Sequence, residues 1–267
     1  MLLVAGDAML DRYIRGDVRR LSPDAPVPIV SNYTIEERAG GAANVLANVI
    51  AMGGVAGSIY GSGPPIIKTR VLGAKQHIVR LDDDPQQVPI DPAEFLGALQ
   101  GRRYVVFVDY WKGSLDYIAG LIQIAKRVNC QVIIDPKGHD WTRYAGADVI
   151  KPNLNEMRDV VGGWSNEEQL HRKATALLDQ FSIGAIMLTR AAEGMTLFRR
   201  SGAFSVMAEP TDVVCVSGAG EAAIAALAVA LSKGHFLDAA LKYANKAASI
   251  AVSRFGTTVV KAEEVFR

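Results

Sequence analysis

Four residues that could transfer a group stand together at Gly218-Ala219-Gly220-Glu221, between a β-branched run (Val213, Val214, Val216) and the Ala-rich stretch from Ala222 to Leu231. Glycines at such a junction let the chain turn tightly and aim successive N–H groups at one point. The N-terminus of the following helix adds partial positive charge there. A turn of this kind can hold an anion, and Glu221, in the first helical turn, can take a proton from an attacking hydroxyl. The same residues also suit a plain helix start, with small side chains for close packing and an acid favoured by the dipole. The local sequence leaves both readings open.

Other polar groups collect at predictable places. Leu2–Ala5 is a short apolar run ending in Gly6-Asp7, and Asp11 follows four residues later. In an α/β sheet ligands gather beyond the carboxyl ends of strands, so both acids are candidates to hold hydroxyls. Gly40 and Gly41 open a helical pattern in which Asn44 and Asn48 lie one turn apart on one face. Among Ala and Val these two amides need partners, which a polyhydroxylated ligand could supply. Asp82-Asp83-Asp84 reads as a solvated turn, since three adjacent like charges make no structured metal site without further ligands.

The elements that must position these groups alternate. Tyr104–Val108 ends in Asp109-Tyr110 and precedes a helix over 115–128. Val132–Ile134 ends in Asp135-Pro136-Lys137-Gly138, Asp148–Ile150 in Lys151-Pro152-Asn153, and Ile186–Leu188 in Thr189-Arg190. Repeated strand–polar end–helix units imply a parallel sheet with helices on both faces. Residues 12–38, with Pro23, Pro26 and Pro28, alternate apolar and polar in the manner of a small antiparallel flap, and 66–72 and 78–81 supply further strands to it. Met195–Arg199 and Ala203–Met207 read as a hairpin, and Leu237–Phe255 as a last long helix.

With 267 residues, 49% of them hydrophobic, the chain can bury a large core. A formal charge of +1 speaks against binding nucleic acid or a membrane surface through bulk charge. No run reaches the roughly 18 apolar residues of a membrane span, and no basic leader precedes Asp7. Cys130 and Cys215 fit no metal spacing and lie in apolar, strand-like runs, where buried reduced thiols are expected, as in the cytoplasm.

Several ordered segments carry a further signal: VAGDAMLDRYIRGDVRRLSPDAPVPIV, ERAGGAANVLANV, RVLGAKQHIVRLD, DYWKGSL, IDPKGHDWTRYAGADVIKPNLNE, LTRAAEGM and SGAGE. In these the chain resembles the ribokinase-like (PfkB-type) carbohydrate kinases, and within them the bacterial branch that phosphorylates a heptose 7-phosphate at its anomeric C1. The resemblance implies an α/β fold, a three-layer α/β/α sandwich with a mostly parallel central sheet. It implies one domain over 1–267, with flap strands from about 12–38 and 66–82 forming a lid.

The substrates implied are ATP with Mg²⁺ and a small sugar phosphate, and the flap is the implied surface for a homodimer. Asp7, Asp11, Gly40, Gly41 and Asn44 would hold sugar hydroxyls, with Arg80 and Lys112 near the sugar or its phosphate. Asn153, Asn155 and Glu156 would order Mg²⁺ and the ATP phosphates, Glu156 as the metal's carboxylate. Thr189, Arg190 and Gly194 would line the nucleotide site and Asn245 would lie near the base. Gly218, Ala219 and Gly220 would form the anion hole, with Glu221 as catalytic base.

Three departures from the family pattern stand out. Glu221 replaces an Asp, and Cys215 replaces the Asp six residues before it. The chain is also short between Tyr60 and Ile66, which implies a reduced lid region. A relative that binds nucleotide or sugar with little transfer is the alternative these departures raise. The nucleotidyltransferase domain that some relatives carry is not expected within these residues.

Overall fold

The structure, a computed structural model, describes residues 1–73 and 76–267. Its strands run in order β1 (Leu2–Gly6), β2 (Ala8–Leu21), β3 (Pro28–Gly41), β4 (Ala56–Tyr60), β5 (Ile66–Gly73), β6 (Gln76–Asp83), β7 (Tyr104–Val108), β8 (Gln131–Asp135), β9 (Val149–Ile150), β10 (Ala185–Thr189), β11 (Met195–Arg199) and β12 (Gly202–Val206). The helices are α1 (Ala42–Ala51), α2 (Pro92–Ala98), α3 (Ile118–Arg127), α4 (Leu154–Val161), α5 (Glu167–Gln180), α6 (Ala219–Ser232), α7 (Leu237–Val252) and α8 (Ala262–Val265).

The main sheet has the order β12-β11-β10-β9-β8-β7-β1-β4. β4, β1, β7, β8, β9 and β10 are parallel, and β11 and β12 close one edge as an antiparallel hairpin. The central strands are apolar throughout because both faces are covered. Leu2, Val4, Val106, Val108 and Met187 pack into one core with α1, α6 and α7. Their neighbours Leu3, Ala5, Val105, Phe107, Ile186 and Leu188 pack into the other with α2, α3 and α5. These are the three layers expected of an α/β/α sandwich.

Helix α6 runs through the first core, with every residue from Glu221 to Ala230 buried. Six alanines in that stretch let it sit between α1 and α7 at close range. A helix that is apolar all round can be stable only in such a place.

The second sheet, β3-β2-β5-β6, is the flap. One face carries Tyr13, Arg15, Arg38 and Arg70 against the turn at 255–258. Tyr13 accepts the Thr257 N–H at 2.9 Å, and Arg38 donates to the carbonyls of Phe255 and Thr257 at 2.6 and 2.9 Å. The Arg15 guanidinium lies 3.8 Å from the Phe255 ring centroid. The opposite face carries a row across all four strands, Ile35–Ile14–Val71–Val79, in which Ile35 and Val79 are exposed.

The connections to the main sheet are short. Asp7 alone separates β1 from β2, β3 runs directly into α1, and residues 61–65 carry the chain from β4 to β5. The abbreviated stretch after Tyr60 is therefore a direct crossing, and the flap keeps four strands.

Three expectations need correction. Val213–Val216 is not a strand: no neighbouring strand pairs with it, and Val213, Val214 and Val216 stay exposed despite their β propensity. Cys215 is accordingly only half-buried, unlike Cys130. The three aspartates are not a free turn, since Asp82 and Asp83 finish β6 and Lys68 pairs with both Asp82 and Asp84. Finally, the helix after β7 begins at Ile118 because residues 109–117 form a loop, and the last long helix stops at Val252 before a turn.

Gly6 shows how tightly the strand ends are built. Its φ is +142°, and a β-carbon there would lie 2.1 Å from the Val108 carbonyl oxygen. Gly6→Ala is expected to cost about 2 kcal/mol or more, lowering the thermal midpoint by several degrees, at roughly 2–4 °C per kcal/mol. A melt within one degree of the wild type would contradict this.

Candidate active site

The parallel strands deliver a row of polar groups to one edge. Backbone bonds continue the ladder past the strands: Asp7 N–H to Val108 O, Asp109 N–H to Asp135 O, Lys151 N–H to Ile134 O and Thr189 N–H to Pro152 O, all within 2.8–3.1 Å. Asp7, Asp109, Asp135, Lys151 and Thr189 thus line up across five strands. The start of α6 faces this edge. Gly218 caps it at φ +85° and no side chain bonds there, so the first N–H groups of α6 have no side-chain acceptor.

Two hollows meet this helix start. One, of about 260 Å³, is lined by Gly220, Tyr110, Asp135, Lys151, Asn153, Glu156 and Thr189, among others. The other, of about 410 Å³, is lined by Arg38, Ala39, Asn44 and residues 257–259. A β-carbon on Gly220 would lie 3.3 Å from the Lys151 ammonium, and one on Gly218 would lie 3.5 Å from Asn44 Nδ2. Each hollow therefore presents a nitrogen donor to one end of the glycine turn.

In the smaller hollow Lys151 is 3% exposed and pairs with Asp135 at 2.9 Å. Burial disfavours its charge, but Asp135, Glu156 and Glu221 outweigh this and raise its pKa. Asp135 is pushed up to about 6 by burial, against the pull of Lys151 and with Glu156 and Glu221 adding to the rise. Glu221 Oε1 accepts a 2.5 Å hydrogen bond from the Tyr110 hydroxyl.

The Asn-x-x-Glu segment is first of all a capping box. Asn153 Oδ1 accepts the N–H groups of Asn155 and Glu156, and Glu156 Oε2 accepts the Asn153 N–H. Glu156 Oε1 is left facing the Lys137 ammonium at 3.4 Å. Asn155 is exposed and contributes its backbone only.

On the flap side the expected sugar residues have unequal freedom. Asp7 is fully buried, and its oxygens accept the backbone N–H groups of Tyr110, Lys112 and Ser114 at 2.9–3.2 Å. It anchors a loop. Asp11 forms a close, largely buried ion pair with Arg70. Gly40 makes room for Asp11, whose Oδ2 would lie 2.7 Å from a β-carbon there, and Gly41 takes φ +55° to enter α1.

The two asparagines divide their labour. Asn48 is satisfied by the chain: Nδ2 donates to Asn44 Oδ1 and Thr258 O, and Oδ1 accepts the Val260 N–H. Asn44 Nδ2 is buried without an acceptor, so it fits a ligand oxygen.

Other expected residues sit outside the two hollows. Arg80 is exposed and pairs with Asp82, while Lys112 pairs with Asp84 at 2.7 Å. Arg190 is held by Glu167 and Glu193, Gly194 shapes the β10–β11 turn at φ +86°, and Asn245 donates to the Met207 carbonyl. Cys215 departs from an inert thiol: burial raises its pKa, but hydrogen bonds with Ser217 and Gly256 and the Arg70 charge bring it below the usual value.

Sequence reasoning passed over Tyr110, Asp135, Lys151 and Arg70. The first three did carry a signal, since each ends or follows a strand of the alternating pattern.

Comparison with known proteins gives the family. The model for "pfkB family carbohydrate kinase" matches residues 110–264, more than half of the chain. The protein belongs to the pfkB family of carbohydrate kinases. It is 37% identical to the "Bifunctional protein HldE" of Vibrio cholerae serotype O1, and 37% to that of Yersinia pseudotuberculosis, over 99% of this chain in each case. The chain spans 62% of the length of these relatives. Solved structures share the fold: phosphofructokinase-2 from Escherichia coli in complex with potassium (TM-score 0.79, 15% identity, 99% of this chain and 96% of that one), and Arabidopsis thaliana ribokinase complexed with ribose and ATP (TM-score 0.78, 18%, 99% and 97%).

The Asp135 shift makes a prediction about stability. A carboxyl that binds its proton more tightly folded than unfolded stabilises the fold below its unfolded pKa, and that contribution is lost as pH rises. Here the window runs from about 4 to about 6. Asp135→Asn is expected to flatten this part of the stability profile, measured by urea unfolding at several pH values. An unchanged slope would count against the assignment.

Proposed function

We propose that the chain transfers the γ-phosphoryl group of ATP to the anomeric C1 hydroxyl of D-glycero-β-D-manno-heptose 7-phosphate. The observation that carries this reading is the helix start of α6, open to an anion and set between Glu221 and the buried ammonium of Lys151. Transfer of a phosphoryl group asks the protein mainly for positioning and for cancellation of charge. The heptose is favoured by the likeness of the quoted segments and of the HldE relatives.

In this reading the sugar lies on the flap side. Asn44 Nδ2 donates to a hydroxyl, and Asp11, Gly40 and Gly41 shape the same wall. Asp7 contributes by holding the loop at 110–114. Lys112 and Arg80 meet the 7-phosphate by exchanging Asp84 and Asp82 for it.

ATP enters the smaller hollow past Asn153 and Thr189. Asn245, Arg190 and Gly194 act at a distance, fixing the walls around it. The sugar oxygen attacks the γ-phosphorus, the bond to the β,γ-bridging oxygen breaks, and Glu221 takes the hydroxyl proton. The N–H groups of Gly218–Gly220 and the Lys151 ammonium hold the equatorial oxygens.

Among the described residues no group of three His, Cys, Asp or Glu is placed to hold a metal alone. Glu156, whose Oε1 faces only Lys137, suits a Mg²⁺ that keeps most of its ligands as phosphate oxygens and water. Bound there, the ion would neutralise phosphate charge. In this reading the use of ATP supports work in the cytoplasm; none of the described helices is long and apolar enough to cross a membrane.

A second reading, a chain that binds these ligands but transfers slowly, is favoured by one observation: Glu221 is already engaged by Tyr110. ADP release with Mg²⁺-ATP and the heptose 7-phosphate separates the two. Glu221→Gln is expected to lower kcat at least about 100-fold with little change in KM. The paired change Lys151→Met with Asp135→Asn, which removes both members of the buried ion pair together, should cost about 100- to 1000-fold. A wild type no faster than Glu221→Gln would leave the slow binder as the answer.

The apolar row Ile35–Ile14–Val71–Val79 on the outer face of the flap suits a second copy of the chain, one row packing on its equivalent. Ile35→Asp should then convert a dimer to a monomer in sedimentation. A wild-type monomer at micromolar concentration would rule this out.

A further inference from the structure

Tyr110 bonds to two acids of the site, Asp7 and Glu221. Its main-chain N–H donates to Asp7 Oδ2 at 2.9 Å, and its hydroxyl donates to Glu221 Oε1 at 2.5 Å. Glu221 itself is 8% exposed, so its carboxylate has little water to solvate it. Asp135 from β8, Lys151 from the end of β9 and Glu156 from α4 stand around the pair. Two of these three neighbours are acids, and the Tyr110 hydroxyl donates to the Glu221 carboxyl group among them. The phenol does not compete for the charge: burial and the same acids push its own ionisation well above the ordinary range. The proton therefore stays on the Tyr110 hydroxyl, which keeps donating to the Glu221 oxygen.

We propose that Tyr110 is the positioning residue of Glu221, its hydroxyl fixing the carboxylate of this long acid and its main-chain N–H tying it to the Asp7-anchored loop. A glutamate has one more rotatable bond than an aspartate, and an unfixed carboxylate would sample positions about 1 Å apart, enough to cost roughly 100-fold in rate. The hydroxyl removes that freedom. The kinetic part of this inference rests on Glu221 being the proton acceptor, whereas the bond and its effect on the carboxyl do not.

The test therefore has two arms. In the first, side-chain carboxyls of glutamate are labelled with ¹³C, and the Glu221 signal is assigned by its loss in Glu221→Asp. Tyr110→Phe, which keeps the ring, should move the Glu221 carboxyl signal at fixed pH, because the hydroxyl proton it accepts is gone. An unchanged signal overturns the proposal whatever the enzyme's activity. In the second arm, Tyr110→Phe should lower kcat on heptose 7-phosphate about 10- to 100-fold and leave KM for both substrates unchanged. Glu221→Asp draws the carboxylate back from the hydroxyl, so in that background Tyr110→Phe should cost less than about twofold more. Effects that simply multiply overturn the proposal. A wild type with no turnover defeats the reading of Glu221 as proton acceptor, and the carboxyl signal then decides the role of Tyr110.

Discussion

One carboxylate organises this site from within. Asp7 leaves β1 fully buried, and three backbone N–H groups of the loop at 110–114 converge on its two oxygens. A buried carboxyl group in that place is tolerable only because those donors satisfy it, and removing it would leave three inward-facing amides without partners. The bonds decide where the loop can lie. The loop in turn aims Tyr110 at Glu221, sends Lys112 to Asp84 on the flap, and lays Trp111 over Gly138. Trp111 adopts φ +58°, a conformation that a bulky residue keeps only under constraint from its surroundings.

Charge is handled at close quarters throughout. Asp109, Asp135 and Glu156 line one hollow with the buried Lys151 ammonium; burial first, then Glu156 and Glu221, raise the pKa of Asp135, and, against burial, the acids raise that of Lys151. A site arranged for a polyanion would be expected to carry spare positive charge, and here the supply is conditional. Lys68, Arg70, Lys112 and Arg80 are all present around the flap, each already paired with an aspartate. Such pairs can exchange partners, so binding of an anion need not strip water from a bare cation.

Much of the architecture was legible because it depends on local pattern. Alternating strands and helices, the flap and the helix start at Gly218 each follow from runs of a few residues. The pairings inside the site were not legible in the same way. Tyr110 and Glu221 are 111 residues apart, and Asp11 and Arg70 are 59 apart. No periodicity links partners at such distances. Asp7 was read as a free acid because sequence cannot say whether backbone amides have already claimed it. The Val213–Val216 run shows the converse: its propensity is for a strand, but the fold supplies no partner strand beside it. Asn-x-x-Glu was read for its ligands, and its structural work as the capping box of α4 became visible only with the backbone in view.

The short connections between the two sheets have a mechanical consequence. The flap joins the main sheet through Asp7 and helix α1 through Gly41, with no slack at either point. A rigid panel hung on pivots this short cannot swing freely. Any rotation of the flap turns the backbone of Asp7, whose carboxylate holds the loop that carries Tyr110. Movement at the rim is thereby geared to the interior, and the flap acts as a lever whose short arm ends beside Glu221.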